Sequence, residues 1–293
     1  MPYRLVFGAQ LRENAALRQS FFSLAEQIFG ISFAEWHRGG YWQQSYLPYA
    51  LVEGEEVVAN VSVNAMEFLR FGERKRYVQL GTVMTAPRFR GQGLARQLLE
   101  HVLLEWESCC QGIYLYANDT VLNFYPKFGF QPQEEYAFFF PLSQRPGDFS
   151  RIDPCTKEGE ALLRRCYRQG NPFSCCSMQE NFSLLMFYCG ASLRNDIYYS
   201  PGRDAICIAQ PQGERLLCYD IFCSPGQQLQ EILEEVCPPG VSQAELGFSP
   251  CSSFGAMYSC QRIFGQDETL FVRSRGENPV AGHKMRLPLL SHA

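Results

Sequence analysis

Residues 84–99 read MTAPRFRGQGLARQLL, and the reading of this stretch decides the fold. Each glycine in it costs backbone entropy, and arginines packed this closely repel one another unless something anionic sits among them. Upstream, YVQLGTVMT (77–85) has the pattern of a strand, which Pro87 stops. Downstream, Leu94, Leu98, Leu99, Val102, Leu103 and Trp106 fall on one face of a helix. A strand, a glycine loop and a helix in that order let backbone approach a ligand closely. The first turn of the helix then aims free N–H groups and the positive end of its dipole at the same place. Arg88, Arg90 and Arg96 add counter-charge, so the expected ligand carries phosphate. A dinucleotide fingerprint needs a small residue where Arg96 stands, and a nucleotide-triphosphate loop needs Gly-Lys-Ser/Thr; neither is present. Taken alone, the loop also fits a basic solvent turn.

Around this stretch the first half alternates strands and helices. Residues 11–29 have helical periodicity, 47–53 and 57–69 read as strands, and EGEE turns between them. Residues 113–117 (IYLYA) are the next strand. Asn118 or Asp119 can cap a short helix that Gly129 closes and Pro126 distorts, and YAFFFPL (136–142) is a final strand. His101 falls on the polar face of its helix and reads as a solvated residue.

Composition limits the function classes. The 293 residues allow two domains, and 46% hydrophobic residues supply their cores. A net charge of −4, from 26 Lys plus Arg against 30 Asp plus Glu, argues against nucleic acid as the main partner. The amino-terminal stretch lacks the apolar h-region of a signal peptide, and no apolar run is long enough for a membrane span. A cytoplasmic location and no membrane partner are expected. The 13 cysteines form no CxxC pair and share no ligand spacing with His37, His101, His283 or His292. Neither a disulfide framework nor a metal is expected, and most of the thiols read as small buried apolar groups.

Two signatures, taken together, resemble the GNAT superfamily of N-acetyltransferases. Arg88-Phe89-Arg90-Gly91-Gln92-Gly93 is similar to its Arg/Gln-x-x-Gly-x-Gly/Ala motif. NDTVLNFYPKFGF (118–130) is similar to its second motif, with Asn118, Tyr125, Gly129 and Phe130 at the matching places. The resemblance covers about residues 3–142. It implies a mixed, mostly antiparallel α/β sheet flanked by helices, and acetyl transfer from acetyl-coenzyme A (acetyl-CoA) to a small-molecule or peptide amine. It further implies that Val83, Met84 and Thr85 pair their backbone with the pantetheine arm. Amides from Phe89 through Gly91, Gln92, Gly93 and Leu94 to Ala95 would hold the pyrophosphate, and Asn118 would touch pantetheine or fix the following helix. Tyr125 matches the general acid, whose phenol suits a departing thiolate, and a backbone N–H near Met84 is the natural oxyanion donor. Glu67, Glu134 and Glu135 are candidates for the base, and none is singled out.

The second half lacks both signatures yet echoes the layout of the first. Two strands (204–210 and 215–223) lead through SPGQ into a helix bearing Leu229, Ile232, Leu233 and Val236 on one face. AELGF (244–248) follows, and DETLFVRS (267–274) echoes EEYAFFFPL (134–142). The expected organisation is a GNAT domain over 1–142, a linker over 143–150, and a degenerate GNAT-like domain over 151–293 without a pyrophosphate cradle. It resembles tandem members such as the enhanced-intracellular-survival acetyltransferases. The second domain would shape the acceptor site or a homo-oligomer. Aromatics at Trp36, Tyr41, Trp42 and Phe138 to Phe140 fit an apolar pocket or a plain core. The alternative to an enzyme is a non-catalytic acyl-CoA-binding or interaction module.

Overall fold

The computed structural model describes residues 3–251, 258–263 and 268–293. Strand β1 (Arg4–Phe7) leads into helices α1 (Ala9–Glu13), α2 (Ala15–Phe29) and α3 (Ala34–Arg38). The single helix expected over 11–29 is broken at Asn14, whose extended backbone and side-chain carbonyl cap the amides of Ala16 and Leu17. Strands β2 (Tyr46–Glu53), β3 (Glu56–Arg70) and β4 (Glu73–Thr85) form a meander, followed by α4 (Leu94–Trp106) and β5 (Gly112–Ala117). Residues 118–129 make two 3₁₀ turns rather than one helix. Asn118 caps the first through the Thr120 amide, Pro126 sits in the second, and Gly129 closes it at φ +79°. Short β6 (Gln131–Pro132) and β7 (Tyr136–Pro141) come next.

The rest of the chain supplies β8 (Ser150–Arg151), α5 (Lys157–Tyr167), β9 (Cys176–Gln179), α6 (Phe182–Cys189), β10 (Ile197–Ser200), β11 (Ala205–Gln212) and β12 (Arg215–Phe222). Then come α7 (Leu229–Val236), β13 (Gln243–Leu246), β14 (Ser259–Arg262) and β15 (Thr269–Ser274). Asp267, the first residue of the expected 267–274 strand, lies outside the described residues.

Two mixed sheets result. The first runs β1-β2-β3-β4-β5-β15-β6, with β9 pairing the far end of β3; the second runs β14-β7-β13-β12-β11-β10-β8. In each, one pair is parallel, β4–β5 and β12–β13, and the rest are antiparallel. The expected closing strand of the first half, β7, pairs with β13 in the second sheet. Its counterpart β15 pairs with β5 in the first. The halves exchange their equivalent strands across the 143–150 segment.

The central strands are buried on both faces, and successive residues enter different cores. Val61, Val63, Val78, Leu80, Ile113 and Leu115 face α2 and α4 in one core. Met66, Phe68, Tyr77 and Tyr114, on the opposite face, pack against Cys176, Leu184, Met285 and Leu287 from the second half. Eight cysteines are buried, and all 13 are free thiols.

Candidate active site

Parallel pairing of β4 with β5 covers only Tyr77–Leu80 against Gly112–Leu115. Beyond it β4 keeps its pairing with β3 but not with β5, and residues 81–85 line a cavity on the β5 side. The change has a local cause. Between the Gly81–Ser62 and Met84–Asn60 pairs, β4 carries an extra residue, a bulge, and Thr82 there adopts φ +43°. That conformation is rare for a β-branched residue, and a buried polar network holds it. Asn60 Nδ2 donates to the Thr82 carbonyl and to Ser62 Oγ, both at 2.9 Å. The Ser62 hydroxyl donates to Tyr46 Oη at 2.9 Å, and the Tyr46 and Thr82 hydroxyls lie 2.8 Å apart.

The cavity measures about 770 Å³, within the range of small-molecule sites. Val83, Met84, Thr85, Arg90, Ala95, Asn118 and Tyr125 line it, so seven of the sequence-derived site residues meet at one place. The others lie around it in different ways. Arg88 is tied to Glu56 and lies over the Phe89 ring, while Phe89 and Leu94 are core residues. Arg96 pairs with Glu100 at 3.6 Å and covers the Phe128 ring. Gln92 Oε1 accepts from the Tyr3 hydroxyl. Gly91 and Gly93 each have φ +78°, and a Cβ on either would meet nothing within 4 Å. The loop therefore presents bare backbone to open space. Gly93 precedes the first turn of α4 and no side chain caps it, so the amides of Leu94, Ala95 and Arg96 keep no intrahelical acceptor.

Tyr125 is 5% exposed. Its ring makes edge contacts with Phe124 and Phe130 and a tilted contact, 6.0 Å between centroids, with Phe271 of the exchanged β15. Burial pushes its pKa up to about 12, so the phenol stays protonated. Asn118 accepts from the Thr120 amide at 3.1 Å and hydroxyl at 2.5 Å while lining the cavity.

The three carboxylates considered as bases differ in placement. Glu67 and Glu134 form exposed ion pairs with Arg74 and Arg262. Glu135 lies in an adjoining, smaller cavity, where it accepts from the Tyr116 hydroxyl at 3.2 Å and the Leu287 amide at 3.0 Å. Burial raises its pKa to about 7.

Of the aromatics noted in the sequence, Trp36 reaches the cavity, whereas Trp42 and Phe138 to Phe140 are core. The sequence reading missed Asn64, Gln79 and His292, and the whole contribution of α6, which brings Ser183, Leu184 and Phe187 to the wall. One signal was present. Asn60, Ser62 and Asn64 alternate through the otherwise apolar VVANVSVNAM, which places polar groups on one face of a buried strand. Among the described residues no cluster of side chains has the makings of a metal site, and no helix is long and apolar enough to cross a membrane.

The acetyltransferase (GNAT) domain family matches residues 49–132. No curated protein matches the chain as a sequence relative. Among solved structures it is similar to a conserved Enterococcus faecalis protein designated a probable N-acyltransferase, with TM-score 0.62 and 14% identity, over 94% of this chain and 73% of that one. Eis1 from Mycobacterium abscessus gives 0.58 and 14%, over 93% and 73%. A GCN5-related N-acetyltransferase from Kribbella flavida gives 0.56 and 15%, over 93% and 71%. At these identities the likeness concerns the fold, and it extends across both sheets.

Proposed function

Residues 49–132 match the acetyltransferase (GNAT) domain family, and from that premise we propose that the chain transfers an acetyl group from acetyl-CoA to a primary amine. The observation that carries the reading is one cavity with three features. It adjoins the open edge of β4, the glycine loop leading to the uncapped start of α4, and the buried Tyr125. The bare backbone at Gly91 and Gly93 and the first-turn amides of α4 suit a pyrophosphate. The free edge at Val83, Met84 and Thr85 suits an amide-bearing arm, and Arg90 adds positive charge at the wall.

In this reading the amine nitrogen attacks the thioester carbonyl, and the N–C bond forms as the C–S bond breaks. The Tyr125 hydroxyl gives its proton to the departing thiolate, and the proton shed by the amine passes to water. A backbone N–H on the open edge near Met84 steadies the developing oxyanion. The half of the chain beyond the linker contributes the acceptor wall through α6.

Tyr125→Phe tests this. The ring contacts with Phe124, Phe130 and Phe271 remain, so the melting temperature stays close to the parent's. Single-turnover acetyl transfer falls ~10²-fold or more, the range for losing a general acid. The Michaelis constant for acetyl-CoA moves far less. An unchanged single-turnover rate rules out the hydroxyl as the acid. Absence of thiol release with any amine, in protein that binds acetyl-CoA, supports the acyl-CoA-binding alternative instead.

A further inference from the structure

The polar end of the cavity holds three atoms with nothing to bond to. Asn64 and Gln79 stand opposite one another on β3 and β4, and each is 2% exposed. Asn64 Nδ2, Gln79 Oε1 and His292 Nε2 are buried without a hydrogen-bond partner, and all three residues line the cavity. Gln79 is oriented by its own amide, since Nε2 donates to the Ala293 carbonyl at 3.3 Å; Oε1 is the end left over. The His292 ring is stacked on Tyr116, 3.7 Å between centroids, and its Nδ1 faces Glu268 at 3.9 Å. Burial keeps this imidazole neutral, and with its proton on Nδ1 the bare Nε2 is an acceptor. A bare buried polar atom costs about 1–3 kcal/mol, and folded proteins keep few of them. Three in one cavity mark a place shaped for a polar head.

The rest of the wall has a different chemistry. Phe33, Trp36 and Phe187 touch one another there, with Phe187 5.4 Å from Phe33 and 5.9 Å from Trp36 between centroids. Phe29 stands on the lining with 41% of its surface exposed. Glu268 is the one acidic side chain among the described lining residues. A polycation needs a carboxylate for each charge that it buries, and this wall does not offer them.

We propose that the acceptor is a primary amine on one aromatic or aliphatic body. Gln79 Oε1 and His292 Nε2 take its two N–H bonds, and Phe33, Trp36 and Phe187 take the body. The lone pair is then free to attack. Polyamines and aminoglycosides fit this wall less well. This rests on the acetyl-transfer reading and names its substrate class.

The test uses the full chain with acetyl-CoA and a thiol-release readout. 2-Phenylethylamine, tryptamine and hexylamine are set against spermidine and kanamycin. The apolar amines are expected to exceed the polycations in kcat/KM by at least about tenfold, the worth of burying one apolar group. Phe187→Ala raises KM for 2-phenylethylamine by a similar factor while KM for acetyl-CoA holds, which shows that the variant is folded. A preference for spermidine or kanamycin overturns the proposal, as does an unchanged KM in Phe187→Ala. If no amine releases thiol, the transfer reading fails, and calorimetry with the coenzyme-A-bound protein decides the proposal separately. Tighter binding of 2-phenylethylamine than of spermidine then supports it, and equal or weaker binding overturns it.

Discussion

Asp220 is a carboxylate in an apolar setting, 6% exposed, held by the Asn171 side-chain amide at 2.6 Å and the Ile221 N–H at 2.9 Å. Burial outweighs those two donors and raises its pKa from 3.8 to about 7. The folded chain therefore binds this proton more tightly than the unfolded chain does. The resulting stabilisation is complete below the unfolded pKa and is lost as pH rises through about 7. Each tenfold difference in proton affinity is worth about 1.4 kcal/mol, so the contribution is on the order of a few kcal/mol at its upper bound. His292 works in the opposite sense, since its lowered pKa makes the fold more stable as pH rises to the ordinary histidine range. Comparison with a variant isolates the acid. Asp220→Asn is expected to reduce the part of the melting-temperature change between pH 5 and pH 7.5 that falls with pH, leaving the share that Glu135 contributes in the same window. Parallel curves for parent and variant contradict that account. At the same scale, Gly81 has a role visible only in three dimensions, because a Cβ there would run into the Ala293 carbonyl.

Among the elements, the start of α4 offers the sharpest experiment. Gly93 is its N-cap in the left-handed region, with no side chain on the first-turn amides. Aspartate at that position caps those amides itself, at the cost of a strained backbone, and sets a negative charge where the pyrophosphate would lie. Gly93→Asp is expected to lower coenzyme A affinity at least ~10-fold while the protein stays folded. Unchanged affinity by calorimetry removes the loop from the binding reading. The loop and helix were legible in the sequence because glycine, proline and an apolar stripe each have a local cause. So was the disruption by Pro126, which yields 3₁₀ turns. The break at Asn14 was missed, although Asn is a strong cap and local chemistry could have located it. The wall from α6 was not legible. The run FSLLMFYC is apolar all round, and its pattern does not say which sheet it packs against.

For the whole molecule, the second sheet repeats the strand–helix–strand order around its parallel pair β12–β13, with the short Ser224–Gln227 turn where the first has its glycine loop. One coenzyme A per chain is expected from titration. Two equivalents would assign the second sheet a site of its own. The exchange of β7 and β15 could not be read from the sequence, since both are short apolar strands and either sheet could take either one. It has a consequence for how the chain is made. Ribosomes deliver sequence from one end, and β15 emerges roughly 150 residues after β5, on the order of 10 s later at ordinary synthesis rates. Throughout that interval the edge of β5 is an unpaired template for other chains, and Tyr125 lacks the Phe271 ring that it packs against. The first sheet therefore stays incomplete until residues 269–274 have been made. Residues 1–150 expressed alone should aggregate, and a soluble monomer with a cooperative melt would show that the early sheet closes without its borrowed strand.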